Sequence, residues 1–270
     1  MTESKTKSRY VSRSQLFGSP IAWIAVYAAL VGVTSLVPVL PYAGGGGYWP
    51  LATPIAALAP LLIGLPGGVV ASFVGGLIGM FIAPPAYPLG VLDAFNVAAT
   101  PAILVGLALS MKKYWKYFIP LDLLSVVAYF VVMFYYPGAK VFAWAGVSLC
   151  CSPTSYLISG LYYWLVPLVV LASPIGTKYI YNMARNTNVR SRSIGVFLGS
   201  WMAMNAYYYW PAFWEYWVLY SFPTALLGVM NWAVYSWYEP LFAVLVTIIA
   251  VPLAEALRKS GMAKPPDVIW

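Results

Sequence analysis

The sequence has no histidine, only two cysteines and only seven acidic residues among its 270 positions. Without histidine, neither an H-E-x-x-H zinc site nor a histidine-assisted hydrolase is expected. A Walker A motif is also absent, so the chain is not expected to hydrolyse ATP itself. No two acidic residues lie close together in the sequence as a candidate catalytic pair. We therefore expect a protein that is not an enzyme and that binds neither a metal nor a cofactor.

The spacing of the two cysteines argues against a zinc site and against a redox-active pair. Cys150 and Cys151 are adjacent, so they form neither a zinc-ligand pattern nor a C-x-x-C redox pair. Two readings remain for them, a pair of buried thiols or a strained vicinal disulfide.

Charge is scarce as well. Charged residues make up 8% of the chain, hydrophobic residues 62%, and the mean hydropathy is +0.79, whereas a soluble domain carries about 25% charged residues. Such a chain cannot cover a water-facing surface and must be solvated by lipid. Inside a bilayer the backbone must pair its own polar groups, and long apolar runs without strict alternation favour helices over a barrel. The sequence therefore predicts an all-α transmembrane bundle that forms a single membrane domain over residues 1–270.

The apolar runs predict about eight membrane helices. Their expected positions are 20–37, 50–65, the run from the Pro66–Gly68 turn to 83, 92–110, 118–136, 156–174, 194–210 and 236–257. The first run lacks an A-x-A-type cleavage site, so it should remain as a helix. Residues 212–235 are expected to form an aromatic segment at the outer face, partly helical or re-entrant.

The basic residues predict the orientation. With eight helices and a cytoplasmic N-terminus, every Lys and Arg except Lys140 falls on the cytoplasmic side, as the positive-inside rule requires. The tails 1–18 and 258–270 are then cytoplasmic, and the chain is a multi-pass protein of the cell membrane. The net charge of +8 is thereby explained by topology and does not indicate nucleic-acid binding.

Small residues recur at helical spacing in two of the predicted helices. In the first helix they are Ala22, Ala25, Ala29 and Gly32. In the third helix they form two ladders, one of Ala71, Gly75 and Gly79 and one of Gly68, Ser72 and Gly76. Such stripes let membrane helices approach closely. The ladders are expected to pack inside the bundle, whereas the stripe of the first helix could equally serve another subunit.

The order of these features resembles the substrate-binding S components of energy-coupling factor (ECF) vitamin transporters. The resemblance rests on the basic N-terminus, the A-x-x-x-A motif at Ala25–Ala29, the long glycine-rich outer loop, the helix pair in APLLIGLPGGVVASFVGGLIGMFIAPP (59–85) and, more loosely, the last helix in PLFAVLVTIIAVPLAEALRKSG (240–261). It covers residues 20–110 best.

The resemblance carries specific implications. It implies a six-helix core with an extra helix pair within 117–193, because the family usually has about six helices. It also implies that the alanine stripe docks on a transmembrane coupling subunit, that separate ATPase subunits supply energy, and that the outer loop caps a small vitamin-like solute. The absence of histidine argues against the cobalt and nickel branch of the family.

A few polar residues inside the predicted helices are candidates for binding the solute. Asp93, Asn96 and Thr100 share one face of the fourth helix, below a glycine-rich loop that carries Trp49. Their amide, hydroxyl and carboxylate groups could hydrogen-bond a solute, because polar groups at bilayer depth usually face a partner or a cavity. Asp93 could instead be an N-cap, since it stands at the start of its helix.

A second polar group is interleaved with aromatic residues towards the end of the chain. Asn205, Tyr208, Glu215 and Asn231 belong to it, and Glu239 follows the last repeat of the pattern. Together with Trp49 they could line a pocket that stacks a planar solute while an amide or carboxylate fixes its orientation. Most of the aromatics could instead form an ordinary interfacial belt.

The sequence thus supports three alternative functions. The first is a substrate-binding subunit of an ECF-type importer, with a solute, a coupling subunit, ATPase subunits and membrane lipid as partners. The second is a non-catalytic accessory subunit of a larger membrane complex. The third is a proton-coupled secondary transporter that uses Asp93 or Asp122.

Overall fold

The computed structural model describes residues 15–16, 18–41, 46–109, 116–117, 119–121, 123–124, 141–144, 147–150, 165–214, 237–262 and 264–270. The described residues cover only parts of the predicted helices at 118–136 and 156–174, and the individual predictions for Asp122, Cys151, Glu215 and Asn231 lie outside the described residues.

Helices dominate the described part of the chain, as predicted. They are α1 (Ile21–Thr34), α2 (Ala52–Ile63), α3 (Leu65–Ile82), α4 (Val91–Leu109), α5 (Val166–Ala172), α6 (Tyr181–Ala184), α7 (Val189–Trp214) and α8 (Tyr238–Lys259). A π-helical turn, Ala94–Ala99, lies inside α4, and another, Ile175–Ile180, precedes α6. Among the described helices, α3, α4 and α8 are long and apolar enough to cross a membrane, and α1 and α2 are shorter apolar helices.

The strands form three small antiparallel hairpins. They are β1 (Gln15–Leu16) with β2 (Ser19–Pro20), β3 (Pro38–Pro41) with β4 (Tyr48–Pro50), and β5 (Val141–Trp144) with β6 (Val147–Cys150). The stretch around Lys140 and Cys150, expected to be a loop, thus contains the β5–β6 hairpin, in which Cys150 pairs with Val141.

Helix α2 lies at the centre of the bundle. All twelve of its residues are buried, and it packs against α1, α3, α4 and α8. The Ser72 hydroxyl on α3 donates to the Ala56 carbonyl on α2 over 3.0 Å, and the Tyr27 hydroxyl on α1 donates to the Ile55 carbonyl over 2.9 Å. Helix α7 packs outside α2, against α4 and α8.

The bundle has two distinct ends. The β3–β4 hairpin precedes α2 and carries Trp49, and we call this the hairpin end. The last segment, residues 264–270, lies at the opposite end, which we call the tail end. Helices α1 and α3 run in the same direction, since Gly67 lies beside Ser19 and Gly32 beside Ile78. Helices α2, α4 and α8 run from the hairpin end to the tail end.

The two small-residue ladders of α3 pack inside the bundle, which confirms that prediction. Gly68 and Gly76 lie against α2 and α4, where an added Cβ would come within 2.4 Å of the Pro60 nitrogen and 2.7 Å of the Ala94 oxygen. Gly75 lies against α1, where an added Cβ would lie 2.6 Å from the Ala28 oxygen. Helix α3 therefore packs closely against α2 and α4 on one face and against α1 on another.

The stripe of α1 divides between two environments. Ala22, Ala25 and Ala29 are exposed, together with the larger Val26, which is 71% exposed. Gly32 instead is buried, and the side chain of Ile78 occupies the space beside it. The predicted partner interface must be corrected accordingly, because Gly32 packs within the chain and only the three alanines are accessible.

The hairpin end is tied together by hydroxyl groups. The Tyr48 hydroxyl donates to the Ser35 carbonyl over 3.1 Å, and the hydroxyls of Ser35 and Tyr87 lie 2.7 Å apart. Burial is the main cause that raises the pKa of Tyr87 to about 12, so this phenol stays neutral at physiological pH. These bonds join the hairpin, the end of α1 and the turn between α3 and α4.

The tail end is closed by residues distant in the sequence. A helix leaves its last carbonyls without partners, and at the end of α2 other segments supply the donors. The backbone N–H of Ile269 donates to Leu61 over 3.1 Å, the indole N–H of Trp270 donates to Leu62 over 2.8 Å, and the Ser19 hydroxyl donates to Ile63. Residues 258–270 were expected to be a solvated tail, yet Val268, Ile269 and Trp270 are buried.

The basic stretch before α7 also differs from expectation. It was predicted to be a loop up to Arg192, but α7 begins at Val189 and Arg192 is fully buried. Its guanidinium contacts Glu255 and donates to the Asn186 carbonyl from Nε over 2.9 Å and from Nη2 over 2.6 Å. Arg258, one turn further along α8, also lies 3.7 Å from the Glu255 carboxylate, but the buried Arg192 is the nearer partner.

We predict that Arg192→Met lowers the midpoint of thermal unfolding by about 5–10 °C, whereas Arg258→Met changes it by no more than about 2 °C. The buried guanidinium makes charged hydrogen bonds that methionine cannot replace, while Arg258 is a third exposed. Thermal unfolding of the two purified variants in the same detergent measures the difference. Equal shifts would show that Arg192 does not anchor α7.

Candidate functional site

Several buried polar side chains lack hydrogen-bond partners among the described residues. Apolar bundles rarely leave such groups unpaired, because each one costs free energy. The atoms concerned are Thr53 Oγ1, Asp93 Oδ1, Asn96 Nδ2, Ser200 Oγ, Trp201 Nε1, both amide atoms of Asn205 and both carboxylate oxygens of Glu239. They are carried by α2, α4, α7 and α8, and those on α2 and α8 lie in the first turn at the hairpin end.

On α4 the three predicted residues have different roles. The Thr100 hydroxyl donates to the Phe95 carbonyl over 3.2 Å, so it is used within its own helix. Asp93 Oδ2 accepts the backbone N–H of Leu89, which fixes the preceding turn, while Oδ1 has no partner among the described residues. Asn96 is 2% exposed, and its amide nitrogen is unpaired in the part of the chain described. Asn96 and one oxygen of Asp93 are thus available for a solute.

The local backbone explains why Asn96 is placed inside the bundle. Pro101 has no N–H and cannot donate to the carbonyl four residues earlier. The helix widens into the π-helical turn Ala94–Ala99 just before it, and the Thr100 hydroxyl supplies a bond with the five-residue spacing of that turn. Such turns occur frequently at functional sites because they redirect side chains.

Aromatic rings line the start of α8. The rings of Trp49 and Tyr238 lie 5.6 Å apart between centroids, and those of Tyr238 and Phe242 lie 4.0 Å apart. Trp49 is buried. Glu239 follows Tyr238 in the first turn of α8, and it is fully buried.

The contact of Arg192 with Glu255 sets the register between α7 and α8. Asn205 lies thirteen residues from Arg192, or about 20 Å towards the hairpin end at ~1.5 Å per residue. The same rise from Glu255 reaches Phe242, which is less than one turn from Glu239. Asn205 and Glu239 therefore occupy nearly the same depth on two helices that pack together.

The position of Asn96 follows in the same way. Gly199 on α7 lies against Leu109 on α4, where an added Cβ would be 2.3 Å from a side-chain carbon of Leu109. From this contact, Asn96 is thirteen residues along α4 towards the hairpin end, and Asn205 is six residues along α7 in the same direction. Asn96 therefore lies about 10 Å nearer the hairpin end than Asn205. Asn205, Glu239 and Asn96 thus span about 10 Å of the hairpin half of the bundle, and Asp93 lies about 5 Å further towards the hairpin end.

Some of the predicted site residues lie in parts of the chain that the structure does not describe. The structure also shows unpaired polar groups that were not predicted. The Tyr208 side chain, Glu215 and Asn231 lie outside the described residues, although the backbone of Tyr208 belongs to α7. Thr53, Ser200 and Trp201 were not selected from the sequence, because a hydroxyl or an indole in an apolar helix usually bonds to its own backbone or faces the interface. Only the packing around them shows that their polar atoms are unpaired.

Comparison of the chain with protein-family models, with curated proteins and with solved structures found no match. Within the described residues, no group of three or more Cys, Asp or Glu side chains could hold a metal ion. What these residues offer is a set of amide, hydroxyl and carboxylate groups beside aromatic rings, which suits reversible binding of a small polar molecule.

Proposed function

We propose that the chain is the substrate-binding membrane subunit of an ECF-type importer, which binds a small vitamin-like solute and depends on a separate ATPase module. The observation that carries this proposal is the concentration of unpaired buried polar groups, above all Asn96, Asn205 and Glu239, in the hairpin half of an apolar bundle. Each unpaired group costs about 1–3 kcal/mol, and a solute that pairs with several of them recovers that free energy.

The proposal includes the orientation and the helix count. The chain would cross the cell membrane about eight times, with both termini and the tail end in the cytoplasm. Charge supports this arrangement, since Arg185, Arg192, Arg258 and Lys264 belong to the tail end. Burial lowers the pKa of Lys264, and these three arginines lower it further. The positive-inside rule assigns such an end to the cytoplasm.

The decisive experiment asks whether a solute accompanies the protein. The full chain is purified from gently solubilised membranes, denatured, and its small molecules are identified by mass spectrometry against a mock purification. A stoichiometric solute is expected. If none accompanies the protein and none is found by screening vitamin-like compounds, the proposed function is wrong.

We predict that Asn96→Ala and Asn205→Ala each weaken binding of that solute by about 10–100-fold, because each removes hydrogen bonds worth about 1–3 kcal/mol. Trp49→Ala should weaken it as well by removing an aromatic wall. Asn182→Ala is the matched control, since this asparagine is exposed on α6 and should leave affinity unchanged. Titration calorimetry measures all four variants, and unchanged affinity in both Asn96→Ala and Asn205→Ala would exclude this site.

The accessory-subunit alternative is favoured by one observation, the exposed apolar face of α1. In that case the chain would bind no solute but would co-purify with a larger complex. The secondary-transporter alternative is favoured by the buried carboxylates of Asp93 and Glu239. It predicts uptake driven by a proton gradient in vesicles that contain this chain alone, whereas the proposed function predicts none.

A further inference from the structure

We infer that the solute carries a positively charged nitrogen and that the carboxylate of Glu239 is its counter-charge. This inference rests on the proposed function and names the chemical class of the solute. It starts from an acidic side chain that is buried in a membrane helix with no partner in the part of the chain that the structure describes.

If Glu239 is ionised, its burial requires a compensating charge. Its side chain is fully buried, and neither carboxylate oxygen has a hydrogen-bond partner among the described residues. An ionised carboxylate in an apolar interior is far too costly to persist alone, so such groups are paired with cations or lose their charge. A bound cation that donates N–H groups to both oxygens would satisfy the charge and the hydrogen bonds together.

The described protein around Glu239 does not provide that cation. Helix α2, which packs against α8, has no ionisable residue at all. Helix α7 has only Arg190 and Arg192, and Arg192 is held by Glu255. Glu255 is sixteen residues further along α8, or about 24 Å away. Arg185 is also occupied at the tail end, where it donates to the carbonyls of Leu109 and Asp267.

The groups near Glu239 along α8 suit a cationic nitrogen in other respects. Tyr238 and Phe242 belong to the same first turns of α8, where their rings pack with that of Trp49, and aromatic faces attract ammonium and amidinium groups. Asn205 lies at nearly the same depth, and its unpaired carbonyl oxygen can accept a further N–H. A phosphate or a carboxylate would instead be repelled by Glu239 and would find no guanidinium in this half of the described bundle.

An inorganic cation fits these groups less well than an organic one. Hard cations such as calcium take six to eight oxygen ligands, and no group of three or more acidic side chains occurs among the described residues. An aromatic wall offers no ligand to such an ion. The geometry therefore favours an amine, an amidine or a quaternary nitrogen attached to a small organic body.

The test uses the molecule that solvent extraction releases from the purified wild-type chain. Mass spectrometry gives its structure, and hence its charge at pH 7. Binding of the pure compound is then measured by calorimetry to wild type, to Glu239→Gln and to Thr247→Val. Glutamine has the size of glutamate without its charge. Thr247 is the matched control, because its hydroxyl donates within α8 to Ala243 over 2.7 Å, two turns from Glu239.

A cationic compound is expected, with affinity at least about 30-fold lower for Glu239→Gln and unchanged for Thr247→Val, since removing one partner of a buried charge pair costs at least about 2 kcal/mol. A neutral or anionic compound would overturn the inference and leave the proposed function standing. So would a cationic compound that binds Glu239→Gln as tightly as wild type. Absence of any bound compound would instead remove the proposed function, and this inference with it. Thermal unfolding of both variants shows whether they fold, and a folded Glu239→Gln is required for the comparison.

Should Glu239→Gln fail to fold, the wild type still decides the question. Its affinity for the extracted compound is compared with that for the same compound in which the charged nitrogen is replaced by carbon or oxygen. A loss of at least about 30-fold supports the counter-charge, and equal affinity overturns it.

Discussion

The Gly68→Ala variant is expected to lose its folded structure or to unfold at least about 10 °C below the wild type. A methyl group at this position would lie 2.4 Å from the Pro60 nitrogen and 2.6 Å from the Ala59 carbonyl carbon. Both atoms belong to the backbone of the central helix, so no side chain can turn aside to make room. Overpacking of a core typically costs about 1–3 kcal/mol and more where the backbone must move, and each kcal/mol lowers the unfolding midpoint by about 2–4 °C in a chain of this size.

Val74→Ile is the matched control for Gly68→Ala. It also adds a single carbon to α3, but on the exposed face of the helix, and the unfolding midpoint should move by less than about 2 °C. Thermal unfolding followed by size-exclusion chromatography compares the two variants in one detergent. If Gly68→Ala proved as stable as Val74→Ile, the close contact between α2 and α3 would not exist.

The second large effect concerns transport. If the proposed function is correct, Ala25→Trp should abolish uptake by the assembled importer while it leaves solute affinity within about twofold of wild type. Ala25 is exposed, so the indole enters lipid and leaves the core undisturbed. It would nevertheless hold a coupling subunit away from α1, because small residues are what allow membrane helices to approach closely. Ala29→Trp should behave in the same way.

Gly32→Trp provides the contrast. Gly32 belongs to the same stripe, but an added Cβ would lie 2.7 Å from Ile78, so this variant should fail in folding as well as in uptake. Uptake of labelled solute into vesicles and calorimetric binding by the purified chain separate the two outcomes. Normal uptake by Ala25→Trp, or loss of binding in it, would contradict docking through this face.

Helix positions could be predicted because the sequence marks them clearly. Helix α4 was expected at 92–110 and occupies Val91–Leu109, and the last helix was expected at 236–257 and occupies Tyr238–Lys259. Pro88 and Gly90 precede the first of these, Lys112 and Lys113 follow it, and basic residues end the second. Helix α1 is shorter than expected and ends at Thr34, since the hydroxyl groups of Thr34 and Ser35 bond back to preceding carbonyls and the chain leaves for β3.

Contacts between distant residues could not be predicted. Arg192 was read as part of a solvated loop, because a basic residue in an apolar chain usually faces water. It can be buried because its guanidinium pairs with the carboxylate of Glu255, on another helix, and donates to the Asn186 carbonyl. Val268 and Ile269 are likewise buried because their segment contacts a distant part of the chain, the end of α2. Local patterns contain no information about a partner on another helix.

Some of the unpaired polar groups were selected from the sequence, and others were not. Asn96 and Asn205 were selected because an amide inside a membrane helix needs a partner, and the structure leaves amide atoms of both unpaired within its described part. Thr100 was selected on the same face, but the π-helical turn gives its hydroxyl a carbonyl of its own helix. That turn depends on how Pro101 is accommodated, which periodicity does not show.

The hydrogen bonds from Ile269 and Trp270 to the end of α2 have a consequence for biosynthesis. Residues 61 and 62 leave the ribosome about two hundred residues before their donors do. Until then the carbonyls of Leu61 and Leu62 must be satisfied by water or by lipid headgroups. The tail end of α2 is therefore closed only after residues 269 and 270 have been synthesised.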